Sequence, residues 1–298
     1  MWPEPEDPAT TERMRAAHTR ARAALRANQP PNQPPDHPAG HRPDGRIAWG
    51  WRGRTMGAAV STSDGPAWLR LASAPADQII STFWDGALDA QRSVPDSVPR
   101  PRLLRWHDWT DGPFAYRGEL HDYVAAPTVA ADAVINSAPD LPPAWWAAAR
   151  DALDTLTAVS TDRLTIHPAF LAWAMPHYLG IAAHDHFTSR WTTAHGDFHY
   201  ANLCGADLLI LDWDGWGLAP AGYDAAMLHS YSLGAPDAAA HVRRELGHLL
   251  HSPAGRSAEL VVITELLHAI DQGANLALSA PLRRRAAEIL LMPHPARH

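Results

Sequence analysis

The chain has 298 residues, a formal net charge of −7 and 46% apolar residues, enough to bury a core. The acidic balance argues against nonspecific nucleic-acid binding and suits a cationic ligand. No apolar run approaches the ~20 residues of a membrane-spanning helix, and the single cysteine, Cys204, excludes an intramolecular disulfide and fits a reducing cytoplasm. The first residues include Glu4, Glu6 and Asp7 and lack the order of a signal peptide. There is no lysine, so all 25 basic residues are arginine.

Residues 9–27 have helical spacing, with Met14, Ala17, Ala21 and Leu25 on one stripe and Arg13, Arg15, Arg20, Arg22 and Arg26 around the rest. The plain expectation is a solvated accessory helix; the basic surface alternatively suits an acidic partner or a membrane surface. Six prolines between Asn28 and Pro43 mark a linker. From Ile47 to Ser73 the pattern reads as three short strands, with Ser63-Asp64-Gly65-Pro66 turning between the last two. Residues 76–92 have helical spacing in Ile79, Ile80, Phe83, Ala87 and Leu88, with Ile79 and Phe83 expected to face the sheet. Arg102–Trp106 and Arg117–Val124 supply two more strands. From Pro127 onward the chain turns mainly helical. Helices are expected over 142–156, where Asp140 is the candidate cap, and over 168–179, 222–233, 236–251, 257–272 and 281–291. Trp191–Ala194 reads as a strand, and 202–211 as a hairpin around Gly205-Ala206-Asp207. The division implied is 1–44 helix and linker, 45–125 a small mixed lobe, and 126–298 a helical lobe.

The chemistry concentrates in His195-Gly196-Asp197-Phe198-His199-Tyr200-Ala201-Asn202, followed after the hairpin by Asp212-Trp213-Asp214-Gly215. His195, Asp197 and Asn202 have the H-x-D-x-x-x-x-N spacing of a phosphoryl-transfer loop. A carboxylate such as Asp197 can take the proton of an attacking hydroxyl. An amide oxygen and a carboxylate, Asn202 and Asp212, are the hard oxygen ligands that Mg²⁺ takes. Asp214 is near enough to share that role. His195, Asp197 and His199 also read as a metallohydrolase cluster if His184 or His186 completes it.

HGDFHYAN followed by LLILDWDGWGLAPAGYDAA resembles the aminoglycoside phosphotransferase and choline kinase-like family, strongly over about 191–228. The resemblance implies an α+β, bilobal protein-kinase-like fold: a small N-lobe with an antiparallel sheet and a mainly helical C-lobe. It implies a cytoplasmic small-molecule kinase that uses Mg²⁺ and ATP or GTP, has a small and cationic acceptor, and engages neither nucleic acid nor membrane. Asp197 becomes the catalytic base, and Asn202 and Asp212 the metal ligands. His195 becomes a structural loop residue, and Asp224 opens the next helix and holds the loop. Glu119 to Val124 becomes the lobe connection, with Tyr123 beside the nucleotide.

The family's third-strand lysine is replaced by Arg70, which is cationic but longer and forked. Its acidic partner is expected on the 76–92 helix, with Asp85 preferred over Asp77 and Asp89. Gly50-Trp51-Arg52-Gly53-Arg54-Thr55 stands where a glycine loop would cover phosphates. These departures support a second reading, a pseudokinase that binds or regulates without turnover. Acidic residues on the C-terminal helices, Asp237, Glu245, Glu259, Glu265 and Asp271, suit a cationic acceptor, but Arg243, Arg244, Arg256 and Arg283–Arg285 lie among them.

Overall fold

Alternation of buried and more exposed positions, clearest over Gly65–Pro75, marks the sheet of the first of two compact units, residues 1–91 with 101–127; residues 92–100 with 128–298 form the second. The computed structural model describes residues 3–27, 47–183 and 190–292, so the linker 28–43, His184 and His186 lie outside the described residues.

Strands β1 (Ile47–Trp49), β2 (Thr55–Thr62), β3 (Gly65–Pro75), β4 (Leu103–Asp111) and β5 (Phe114–Asp122) form an antiparallel sheet in the order β1-β2-β3-β5-β4. Its two faces differ in chemistry. One carries Met56, Leu69, Leu71, Tyr116, Leu120 and Trp109, packed with Met14, Ala17, Ala21 and Leu25 of helix α1 (Pro8–Ala24) and its C-cap. Gly118 lies under α1, where a Cβ would come within 2.8 Å of the Ala21 Cβ. Asp7 caps α1 by accepting from the N–H groups of Ala9 and Thr10. Arg13 donates to Ser73 Oγ at 2.8 Å and to the Tyr116 hydroxyl at 3.1 Å, with its guanidinium 3.8 Å from the Phe114 ring centre. The helix is therefore not a solvated accessory: its apolar stripe is core and an arginine ties it to the sheet.

The other sheet face is polar. Arg70 on β3 and Glu119 on β5 are direct cross-strand partners, as are Ala72 and Arg117. Against this polar face a continuous apolar helix has nothing to bury. Residues 76–92 accordingly do not form one. Residues 76–80 are not helical, and two short helices follow, α2 (Ser81–Trp84) and α3 (Gly86–Ser93). Ile79, Ile80 and Phe83 are 40%, 57% and 52% exposed, contrary to the expectation from their spacing. Arg117 fastens the segment to the sheet by donating to the Trp84 carbonyl at 2.6 Å and to Asp85 at 2.9 Å, and Gln91 Oε1 accepts from the Leu103 N–H of β4 at 3.0 Å.

The second unit holds α4 (Pro143–Thr157), α5 (Pro168–Leu179), β6 (Trp191–Ala194), β7 (Gly217–Pro220), α6 (Tyr223–Tyr231), α7 (Pro236–Glu245), α8 (Gly247–Leu250), α9 (Pro253–Asp271) and α10 (Ser279–Leu290). Strands β6 and β7 pair antiparallel; β7 had no sequence signal, being four residues with a proline. No side chain caps α4, so Asp140 does not act there. Among the described residues no helix is long and apolar enough to cross a membrane.

A buried ion network ties α6, α7, α9 and α10 together. Glu259 is fully buried; Arg285 grips it through Nε at 3.1 Å and Nη2 at 2.7 Å, and His229 Nδ1 lies 2.7 Å away. Arg243 Nη1 stands 3.6 Å off. Burial alone would raise the Glu259 pKa, but His229 and Arg285 overcome it and hold the carboxyl at about 2. Glu259→Gln should cost about 3–5 kcal/mol in urea unfolding, because it leaves buried cations uncompensated. The folded pKa lies below the unfolded value of about 4.3, so this stabilisation is present above that pH and is lost as pH falls toward 2. His18, buried on α1, acts in a different window. Burial, helped by Arg22, lowers its pKa from 6.5 to about 4, so the fold holds it neutral. Stability should therefore fall as pH drops from 6.5 to about 4, and His18→Leu should flatten the melting-temperature profile in that interval alone.

Candidate active site

Strand β6 delivers the chain into the loop at His195, and buried anchors fix the loop beyond it. Phe198 and Tyr200 are fully buried, and the Tyr200 hydroxyl lies 2.8 Å from Ser232 Oγ. The Trp145 indole donates to the Cys204 carbonyl at 2.7 Å. The hairpin after Asn202 closes through Cys204 N–H to the Leu209 carbonyl and Leu211 N–H to the Asn202 carbonyl. It is held by a single bridge, Leu203 to Ile210, rather than by regular strands.

Asp224, in the first turn of α6, accepts from the His195 N–H at 2.7 Å and the Gly196 N–H at 3.0 Å. Burial pushes its pKa up, opposed by His195 and the two amides. Gly196 has a φ of +90°, and a Cβ there would come within 2.8 Å of the Gly215 carbonyl, so the loop admits no side chain at that point. His195 is fully buried, and burial lowers its pKa; its Nδ1 accepts from the Asp197 N–H at 3.3 Å. It therefore supports the loop from behind.

The Asp197 side chain is 45% exposed and is held on both oxygens: His199 Nε2 lies 3.1 Å from Oδ1, and Asn202 Nδ2 donates to Oδ2 at 2.8 Å. Burial would raise its pKa, but His199, His195 and Asn202 outweigh that and keep the carboxylate below its ordinary range. His199 moves the opposite way: burial would lower it, but Asp197 and Asp212 raise it. Asn202 also donates to the Asp197 carbonyl at 3.0 Å. With its NH₂ committed to Asp197, Asn202 presents its amide oxygen as the atom suited to a cation.

Asp212 has a φ of +61°, a left-handed backbone that a non-glycine residue adopts at a cost. The twist leaves Asp212 exposed while Trp213 is buried, its indole donating to the Ile210 carbonyl at 2.8 Å and its ring edge-on to His195 at 4.7 Å. Arg163 secures the next turn, donating to the carbonyls of Asp214 and Trp216 at 3.0 Å each, and Thr165 Oγ1 donates to the Gly215 carbonyl at 3.0 Å. Arg163 carries no motif and was not anticipated.

Asp197, His199 and Asn202 are thus in mutual contact, backed by His195 and Asp224, and Asp212 is near enough to act on both histidines. A His195, Asp197, His199 metal cluster does not arise, since His195 faces the loop backbone. Among the described residues no three His, Cys, Asp or Glu side chains gather to hold a metal ion.

Arg70 and Asp85 are not brought together. Asp85 pairs with Arg117, and Arg70 pairs with Glu119 through Nη1 to Oε2 at 3.1 Å. Glu119 is correspondingly a strand residue, and the chain leaves β5 only at Tyr123, which is half-buried. The turn at 50–55 is closed on itself: the N–H groups of Gly50, Gly53 and Arg54 bond to the carbonyls of Thr55, Gly50 and Trp51. Gly53, with a φ of +69°, abuts Pro5 and Thr10 ahead of and within α1. These amides form no open cradle for phosphate.

The acidic residues of the C-terminal helices separate by role. Glu259 belongs to the ion network, Glu245 pairs with Arg150 at 2.8 Å, and Asp271 accepts from the Tyr178 hydroxyl at 2.9 Å. Glu265 is different. Burial, reinforced by the Asp197 charge, raises its pKa to about 8, and the Tyr223 hydroxyl donates to it.

No protein-family model and no curated protein sequence matches the chain. Solved structures do. Aminoglycoside phosphotransferase APH(4)-Ia superposes with a TM-score of 0.57 at 15% identity, covering 82% of this chain and 93% of that one. A thermostable mutant of the same enzyme, in apo form, gives a TM-score of 0.56 at 14% identity, over 82% and 94%. An ethanolamine kinase from Plasmodium vivax is a looser likeness, with a TM-score of 0.41 at 10% identity over 83% and 82%. The fold is the α+β, protein-kinase-like fold of these phosphotransferases, with an antiparallel five-stranded sheet in the first unit and a mainly helical second unit.

Replacing Asp224 with alanine strands two loop amides and should cost about 1–3 kcal/mol for each buried donor left unpaired. Amide hydrogen exchange at His195 and Gly196 should accelerate well beyond that at Leu228 in the same helix as Asp224, whereas Asp224→Asn should give an intermediate effect.

Proposed function

We propose that the protein transfers the γ-phosphoryl group of a nucleoside triphosphate to a hydroxyl of a small molecule. The observation that carries this is the Asp197 carboxylate, half exposed and fixed on both oxygens by His199 and Asn202. Held so, Asp197 stays ionised at neutral pH and keeps one orientation. It receives the acceptor's proton as the new O–P bond forms and the bond from the γ-phosphorus to the β–γ bridging oxygen breaks, releasing the nucleoside diphosphate. A carboxylate with a lowered pKa is a weak base, which suits late proton transfer in a loose transition state where positioning matters most.

The donor set fits Mg²⁺. The Asn202 amide oxygen and the Asp212 carboxylate are hard ligands, and they are presented by a committed amide nitrogen and by a left-handed backbone. When bound, the metal neutralises phosphate charge. Arg70 is the cation assigned to the donor's phosphates. The finer reading of the acceptor is a cation: Glu265, whose pKa burial and the Asp197 charge raise to about 8, would ionise opposite an ammonium group.

Asp197→Asn should lower turnover by roughly 10²–10⁴, the range for a general base, with the melting temperature little changed. Parental turnover in that variant would remove Asp197 from the reaction. One observation favours the pseudokinase reading, namely the closed turn at 50–55. Thermal shift separates the two: nucleotide at 100 times its Kd should add about 2.7 kcal/mol of stability. Absence of any shift with Mg-ATP and Mg-GTP would favour the pseudokinase.

A further inference from the structure

We propose that Glu119 is the positioning residue for Arg70, doing from a neighbouring strand what the resemblance assigns to an acid on the helix; this rests on the nucleotide-dependent reading above. The geometry begins with the register. Arg70 and Glu119 stand directly opposite each other on β3 and β5, so their side chains leave the same face of the sheet. Glu119 is 1% exposed, and its Oε2 lies 3.1 Å from Arg70 Nη1 and 3.2 Å from His121 Nε2. A carboxylate so deeply buried requires a cation, and Arg70 is the first of the neighbours that keep it ionised against burial.

Asp85 serves a separate clamp one pleat along the sheet. Arg117, opposite Ala72, takes Asp108 with both arms at 2.6 and 2.8 Å, Asp85 at 2.9 Å and the Trp84 carbonyl at 2.6 Å. Its side chain is 5% exposed. Two tasks that a single strand–helix ion pair would join are therefore divided: Arg117 fastens the short helices, and Glu119 orients Arg70. Because β3 and β5 are joined by a continuous ladder, the register that sets Arg70 opposite Glu119 belongs to the sheet and not to the helix.

The partition is tested by calorimetric titration of Mg-ATP and Mg-GTP into the whole protein, with melting temperatures measured in parallel. Glu119→Gln should weaken nucleotide binding about ten- to a hundredfold, the scale of a charge-assisted hydrogen bond. Arg70→Ala should weaken it at least as much, and the double variant no further than Arg70→Ala alone. Asp85→Asn should lower the melting temperature and leave affinity within about twofold. Because Glu119→Gln disturbs a buried charge, Glu119→Asp provides the control. It keeps the charge and should recover most of the affinity lost in Glu119→Gln. Parental affinity in a folded Glu119→Gln, losses that multiply in the double variant, or an Asp85→Asn loss as large as that of Glu119→Gln would each overturn the proposal while leaving nucleotide binding intact. A parental protein that binds neither nucleotide would overturn the kinase reading and this proposal with it.

Discussion

Asp224 is a buried carboxylate at the start of a helix, and each of its oxygens accepts a hydrogen bond from one of two consecutive backbone amides, those of His195 and Gly196. Those amides follow directly after β6, beyond its last ladder pair of Ala194 with Gly217. Without Asp224 they would be orphaned in a buried place, at a cost comparable with a large share of a domain's net stability. Once they are fixed, the consequences run along the chain. Gly196 can approach the Gly215 carbonyl, His195 can turn its Nδ1 to the Asp197 amide, and Asp197 emerges at the surface of the loop with only its side chain left to place. His199 and Asn202, further along the same loop, then place it. The Asp197 carboxylate is thus the last link of a chain of satisfied polar atoms that starts at a different helix.

The same requirement explains the sheet of the first unit. A face that must hold Arg70, Glu119, His121, Arg117 and Asp108 cannot also bury a helix's apolar stripe. The helix that does find an apolar face is α1, on the opposite side, where Met14 and Ala21 are fully buried against Leu69, Leu71 and Leu120. The segment 76–92 contributes a carbonyl and one carboxylate to Arg117, buries Ala87, Leu88 and Ala90, and leaves Ile79, Ile80 and Phe83 exposed.

Legibility in the sequence follows from how local each feature is. The β2–β3 hairpin is announced by Ser63-Asp64-Gly65 between alternating runs, and it forms, whereas β4 and β5 extend toward each other well beyond the 102–106 and 117–124 segments read from the sequence, through a tight turn that lies outside both. The loop spacing from His195 to Asn202 is local as well, and its residues meet. Periodicity over 76–92 misled because it says which residues share a side of a helix, and not whether a surface exists to receive them. The Arg70 partner was hidden for a related reason. Arg70 and Glu119 are 49 residues apart, and they become neighbours only because β5 inserts between β3 and β4 in the sheet. Arg163 left no trace because it binds carbonyl oxygens, which every residue has. Glu259 looked like one acid among several on an amphipathic helix; its burial depends on two other helices arriving with Arg285 and His229.

The absence of lysine is where composition and structure meet. Each structural cation engages several acceptors at once: Arg117 a bidentate carboxylate, a second carboxylate and a carbonyl; Arg285 both oxygens of Glu259 and one of Glu288; Arg163 two carbonyls while lying 5.0 Å from the Trp216 ring centre. A planar fork with five donors satisfies such sets, and it stays charged at any pH the fold survives. A lysine ammonium offers three donors from a single atom, so it could meet one of Asp108's oxygens or the Trp84 carbonyl but could not span both arms. Arg70 belongs to this pattern rather than standing as an isolated loss. In a chain whose buried cations are all forked, the partner of the third-strand cation need not reach in from a helix. It can be built into the adjacent strand, at the spacing the ladder itself sets.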